Sequence, residues 1–245
     1  MLKKCIGIGE VVGVLILSVG IVRAADVSTS LDIVSAYVFR GTTLSDSLVA
    51  QPSIEISTPV TFGVWGNMNS DEYGADNSGQ FTEVDLYASY ALPLELKPLG
   101  ISIGYTEYLY PSQSGADADR EANISLSADV LLSPTFTTYY GLDGAVDKAF
   151  YLELGLSHAL QITQEVGCNF DGTVGYSVPD SGKSGFSDAK LGATLNYGIF
   201  SVGVTYVAQL DSDVLPDAAY DAKGVPTSLG YDEKFIFSAG ISKKF

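Results

Sequence analysis

From residue 27 to residue 245 the chain alternates apolar and polar positions in runs separated by stretches rich in Gly, Pro, Ser and Asp. A period of two puts the two parities on opposite faces of an extended strand, one greasy and one polar or small. The run at 121–130 sets Ala122, Ile124, Leu126 and Ala128 against Glu121, Asn123, Ser125, Ser127 and Asp129. The run at 233–245 sets Phe235, Phe237, Ala239, Ile241, Lys243 and Phe245 against Lys234, Ile236, Ser238, Gly240, Ser242 and Lys244. The pattern predicts strands at 27–39, 50–58, 62–68, 83–92, 99–106, 121–130, 136–140, 150–157, 166–176, 188–197, 200–209 and 233–245.

The connectors between these strands alternate in length. Those at 58–61, 93–98, 132–134, 159–164 and 198–199 are short; those at 41–49, 69–80, 111–119, 143–148, 179–185 and 210–232 are mostly longer and polar. A last strand that alternates and closes on Phe245 resembles the final strand of bacterial outer-membrane β-barrels. The fold class read from these features is all-β: a transmembrane, antiparallel, up-and-down barrel of about 12 strands, with short periplasmic turns and long extracellular loops. Aromatic side chains fall near strand ends on the apolar parity. Tyr37, Phe39, Tyr140, Phe150, Tyr176, Tyr206, Phe235 and Phe237 are expected at the loop side. Tyr90, Phe136, Tyr197, Phe200 and Phe245 are expected at the turn side, giving two girdles at the lipid headgroups. The competing reading is a soluble all-β protein with aromatics in its core.

The start of the chain changes the picture by supplying an address. Met1-Leu2-Lys3-Lys4, an apolar stretch from Val11 to Val22, and small residues before Ala25 fit a secretory signal peptide spanning 1–24, which leaves 25–245 as one barrel domain. Cleavage there removes Cys5 and leaves Cys168 without a disulfide partner. No apolar stretch after residue 24 has the length of a membrane-spanning helix, so strands must carry any membrane role. The expected location is the bacterial outer membrane.

Charge then narrows the chemistry. The whole chain carries −16, and residues 25–245 carry about −18, which argues against nucleic acid as a partner. Lipid tails cannot solvate carboxylates, so the polar parity must line the lumen. The lumen-lining candidates are Asp32, Arg40, Glu55, Glu83, Asp85, Glu121, Asp129, Glu153, Asp171, Asp188 and Lys190. A wet lumen of this composition favours small cations; carboxylates paired with Arg40, Lys190 and Tyr hydroxyls would instead plug it. The function expected is passive diffusion of small solutes through a porin-like channel, and the alternative is a non-conducting structural or surface-binding barrel.

No cofactor, metal ligand set or catalytic group is expected. Asp211, Asp213, Asp217, Asp221, Asp232 and Glu233 cluster in the last long loop, but without the layout of a calcium-binding loop. The single histidine, His158, lies on the outward parity near a short turn, the wrong face for a lumenal hydrolase. The partners expected are outer-membrane lipid and lipopolysaccharide, plus the barrel-insertion machinery acting on the C-terminal strand through Phe245.

Ser35-Ala36-Tyr37-Val38-Phe39-Arg40-Gly41, then Ser45-Asp46, Gln51-Pro52 and Gly63-Val64-Trp65-Gly66, is similar to the opening of the TorF-type group of bacterial porin-like proteins, whose function is unassigned. The resemblance covers the first two hairpins; the chain departs from it where Pro52-Ser53 follow Gln51. It implies a barrel and carries over no functional residue. Arg40, on the inward parity at the loop rim, is expected to pair with lumenal carboxylates and tie down the loop at 41–49.

Overall fold

A computed structural model describes residues 25–70, 78–222 and 226–245; the signal peptide expected at 1–24, part of the loop at 69–80 and part of the loop at 210–232 lie outside the described residues. The strands are β1 (Asp26–Val34), β2 (Tyr37–Phe39), β3 (Thr42–Ser45), β4 (Val49–Ser57), β5 (Val60–Asn69), β6 (Phe81–Ala91), β7 (Leu99–Leu109) and β8 (Asp119–Ala128). They continue with β9 (Thr135–Asp143), β10 (Phe150–Gln161), β11 (Val166–Val178), β12 (Gly185–Tyr197), β13 (Phe200–Gln209), β14 (Ala219–Tyr220), β15 (Pro226–Ser228) and β16 (Phe235–Lys244).

Twelve of these close into one barrel in the order β1-β16-β13-β12-β11-β10-β9-β8-β7-β6-β5-β4. The closing seam pairs β1 with β16 antiparallel, from Ser28 opposite Lys244 to Val34 opposite Ser238. Closure leaves no sheet edge unpaired, which strands inside hydrocarbon require. The backbone N–H of Phe245 extends the seam to the Val27 carbonyl at 2.8 Å.

Parity resolves into two physical faces. Phe62, Leu86, Ile103, Leu126, Leu154, Leu191, Val204 and Phe237 point outward and are exposed, forming the apolar belt. At its loop-side edge, aromatic pairs on adjacent strands stand with ring centroids close together: Tyr140–Phe150 at 4.7 Å, Tyr176–Phe186 and Tyr206–Phe235 at 5.1 Å. Arg120, on the outward parity at the same end, bridges Glu107 at 2.9 Å and Asp143 at 2.6 Å. A charged trio on the outer wall marks where the belt stops and headgroup chemistry begins.

Two expectations are corrected. The first run does not continue to Phe39 as wall: β1 stops at Val34, and β2 and β3 form a separate two-stranded hairpin. Tyr37 and Phe39 therefore leave the expected outer girdle and line interior cavities. Asp129 is not a lumen residue; β8 ends at Ala128, and Asp129 sits exposed in the short turn, its N–H bonded to the Pro98 carbonyl at 2.8 Å. Parity misleads at both places for one reason: alternation persists past the last cross-strand partner, and only the partner keeps a residue in the wall.

Candidate functional site: a hairpin across the bore

The β2–β3 hairpin is a two-residue turn, Arg40-Gly41, between Phe39 and its partner Thr42. Both turn residues have positive φ, 49° and 82°, the type I′ geometry that matches strand twist. Gly41 is also required by space. A Cβ there would lie 2.5 Å from Leu215 Cδ2 and 2.8 Å from Asp188 Cβ.

The hairpin is rooted between β1 and β4 and reaches the far wall. At the root, Ser35 N–H donates to the Phe237 carbonyl and Phe237 N–H donates to Ser35 Oγ, both at 2.9 Å. Its second strand is tied to the last loop: Thr43 N–H donates to the Gly230 carbonyl at 2.7 Å, and Glu233 N–H to Thr43 Oγ1 at 3.1 Å. At the tip, Arg40 donates through both terminal nitrogens to the two oxygens of Glu121 on β8, at 2.8 and 2.7 Å. Its guanidinium carbon lies 4.6 Å from the Phe39 ring centre, 4.7 Å from Tyr139 and 4.4 Å from Tyr151. Tyr108 donates to the same Glu121 carboxylate at 2.8 Å. A bidentate, ring-flanked arginine with a buried carboxylate is a rigid tie.

Two cavities meet at this hairpin. One of about 1040 Å³ opens among the long loops and includes Glu83, Tyr110, Asp119, Asp143 and Asp147. The other, about 470 Å³, lies in mid-barrel. Tyr37, Phe39 and Tyr108 belong to both walls, so the hairpin and β7 form the constriction between them. In the outer cavity Tyr110 donates to Asp119 at 2.6 Å; burial first, and that bond second, hold its hydroxyl proton to a pH above the ordinary tyrosine range.

Sheet register builds the inner cavity. Ser53, Trp65, Asp85 and Tyr108 stand directly opposite one another across β4, β5, β6 and β7. One row along, Glu55, Gly63, Tyr87 and Thr106 do the same. The Tyr87 ring lies over Gly63, where a Cβ would come within 2.0 Å of Cζ, and its hydroxyl donates to Glu55 at 3.2 Å. On the far wall Tyr139 pairs with Tyr151, and Glu153 and Lys190 complete the lining.

Of the residues expected in the lumen, Arg40, Asp85, Glu153 and Lys190 come together around the inner cavity, and Glu83 faces the outer one. Glu121 is buried behind Arg40, and Asp188 is buried under the hairpin tip, accepting from Tyr151 at 3.1 Å and Ser187 Oγ at 2.7 Å. Asp32, Glu55 and Asp171 lie elsewhere on the inner face: Asp32 over Gly240, Asp171 beside Gly192, Glu55 under Tyr87. The site residues missing from the sequence expectation are Trp65, Tyr87, Tyr108, Tyr139 and Tyr151. Four of them stood on the polar parity of their runs, an odd place for rings, and that was the signal available.

The fold is similar to solved membrane barrels. The NanC porin superposes with a TM-score of 0.52 at 12% identity, covering 91% of this chain and 100% of that one. A membrane protein from a study of in-meso crystallization gives 0.50 at 10% identity, covering 90% and 84%. At these identities the likeness is one of fold. No curated protein matches the chain. The model of one protein family does match, over residues 22–245, and by that match the chain belongs to Gcw_chp, a family of bacterial proteins of unknown function.

Proposed function

We propose that this protein is a narrow outer-membrane diffusion channel for small solutes, with a preference for cations. The observation that carries the proposal is the pair of cavities inside one closed barrel, divided at a hairpin instead of by a packed core. A bore meant only as scaffold is filled by interlocking side chains. The cation preference follows from the lining: Arg40 is neutralised by Glu121, leaving Lys190 against Asp85 and Glu153 around the inner cavity, with Glu83 above. Carboxylates in a low-dielectric bore attract cations by field focusing. The opening motif supports a place in the TorF-type branch.

Planar-bilayer recording of the refolded barrel tests this reading. Discrete conductance steps with a reversal potential on the cation side under a salt gradient are expected. A silent membrane across a range of salts would sink the channel, and an anion-side potential would sink the selectivity. One observation favours the second reading, a sealed barrel: the hairpin is tied at both root and tip. Current that appears only after the tie is cut would decide for that reading.

A further inference from the structure

We infer that the inner cavity is a binding site for an ammonium group carried by a small organic solute, seated between Asp85 and the ring of Trp65. The inference deepens the channel reading and rests on it for the route by which the solute arrives.

Three observations converge on this spot. Trp65 and Asp85 are direct cross-strand partners, so ring and carboxyl stand side by side on the inner face. Tyr37 from the hairpin closes over Trp65 at 5.5 Å between ring centres, and Tyr108 and Tyr87 complete the wall. Asp85 stands two residues from Glu83 on the same face of β6, and its Oδ1 is buried with no hydrogen-bond partner. A buried acceptor without a donor is costly, and a bound donor removes the cost.

The protein's own cations do not supply that donor. Arg40 is committed to Glu121 and its faces are covered by rings. Lys190 stands on β12, on the other side of the bore from β6. A metal ion fits poorly, since among the described residues no three acidic, His or Cys side chains gather to hold one. Aromatic faces beside a carboxylate are instead the chemistry that recognises alkylammonium ions. About 470 Å³ is the scale of a small-molecule pocket. Lys190, which lines the inner cavity with Glu153 and makes no salt bridge among the described residues, gives the opposite wall a place for a carboxylate, so a zwitterion carrying the same ammonium group is accommodated too.

Trp65 is the single tryptophan of the chain, so its fluorescence reports on the site whether or not the barrel conducts. Titration of the refolded protein in detergent with trimethylammonium, which carries one N–H donor, is expected to give a saturable change. Neither acetate nor tert-butanol is expected to give one. Asp85→Asn is expected to weaken the response at least tenfold while keeping heat-modifiable gel mobility, the mark of a folded barrel. N,N-Dimethylglycine separates the two sources of the ammonium group: tighter binding than trimethylammonium, lost in Lys190→Gln, assigns a zwitterion, and weaker binding assigns a simple cation. An equal response to tert-butanol, no saturation, or an unchanged affinity in a folded Asp85→Asn variant would overturn the site. Saturable fluorescence with a silent bilayer would overturn the channel and keep the site; conductance without a fluorescence response would do the reverse.

Discussion

Arg40 and Glu121 join opposite walls of the barrel: the guanidinium sits at the tip of a hairpin rooted beside β1, the carboxylate on β8, and two hydrogen bonds of 2.8 and 2.7 Å connect them. The pair is well shielded, with side-chain exposures of 17% and 3%. Around it the hairpin becomes part of the wall of both cavities, through Tyr37 and Phe39.

Cutting the pair should therefore separate stability from conductance. Arg40→Met leaves Glu121 buried without its cation and is expected to cost about 3 kcal/mol, the scale for breaking a buried pair. The double variant Arg40→Met/Glu121→Gln should recover much of that loss, because neither charge is then stranded. Both variants should conduct more than the parent, since the hairpin tip is free in each. Urea midpoints in lipid and single-channel records check the two halves; a double variant as unstable as the single would contradict the account.

The Gly63–Tyr87 contact makes a packing prediction. Gly63→Ala places a methyl group 2.0 Å from the present position of Tyr87 Cζ, so the ring must move off the β5 backbone. A loss of about 1–3 kcal/mol is expected, the usual cost of overpacking. Adding Tyr87→Ser should remove the penalty, leaving the double variant no less stable than Tyr87→Ser alone. Denaturant titrations of the four proteins close the cycle.

Selectivity should follow the inner cavity charge by charge. Asp85→Asn and Glu153→Gln should each lower the cation-to-anion permeability ratio, and Lys190→Gln should raise it. Reversal potentials under a salt gradient measure all three. A ratio indifferent to Glu153 and Lys190 would mean the current does not pass this cavity.

Outside the membrane belt, Lys183 joins the loop after β11 to the loop after β13 through Asp211 at 2.8 Å and Asp213 at 2.9 Å. Its hydrogen bond holds the Asp211 carboxyl below the ordinary value of 3.8, with the Asp213 backbone N–H helping. A depressed folded-state value means the tie is complete above the ordinary pH of carboxylate titration and is lost as pH falls through the lower one. Cleavage of the loop at 210–234 by an acid protease should accordingly rise only below about pH 4. Lys183→Met should be cut readily at about pH 5 as well. Equal cleavage of both proteins at the higher pH would exclude the tie.

How much of this was legible beforehand depends on the kind of interaction. The twelve wall strands follow from period-two alternation, because lipid outside and water inside punish a residue on the wrong face independently of its distant partners. The hairpin left a fainter trace: Tyr37-Val38-Phe39 and Thr42-Thr43-Leu44 flank a two-residue turn ending in glycine, a hairpin signal divided between the strand expected at 27–39 and the loop expected at 41–49. Rings at Trp65, Tyr87, Tyr139 and Tyr151 on the polar parity likewise marked the lumen as more than a lining of carboxylates.

By itself the sequence determined faces, strand number and the side on which long loops gather, since each is set by local alternation and turn chemistry. Tertiary structure alone decided that Tyr37 and Phe39 turn inward, that Arg40 meets a carboxylate 81 residues away, and that Trp65 stands beside Asp85 under a tyrosine from another loop. Those outcomes depend on barrel closure, which brings distant strands to opposite sides of one bore. Alternation along the chain carries no record of which residues will face each other across it.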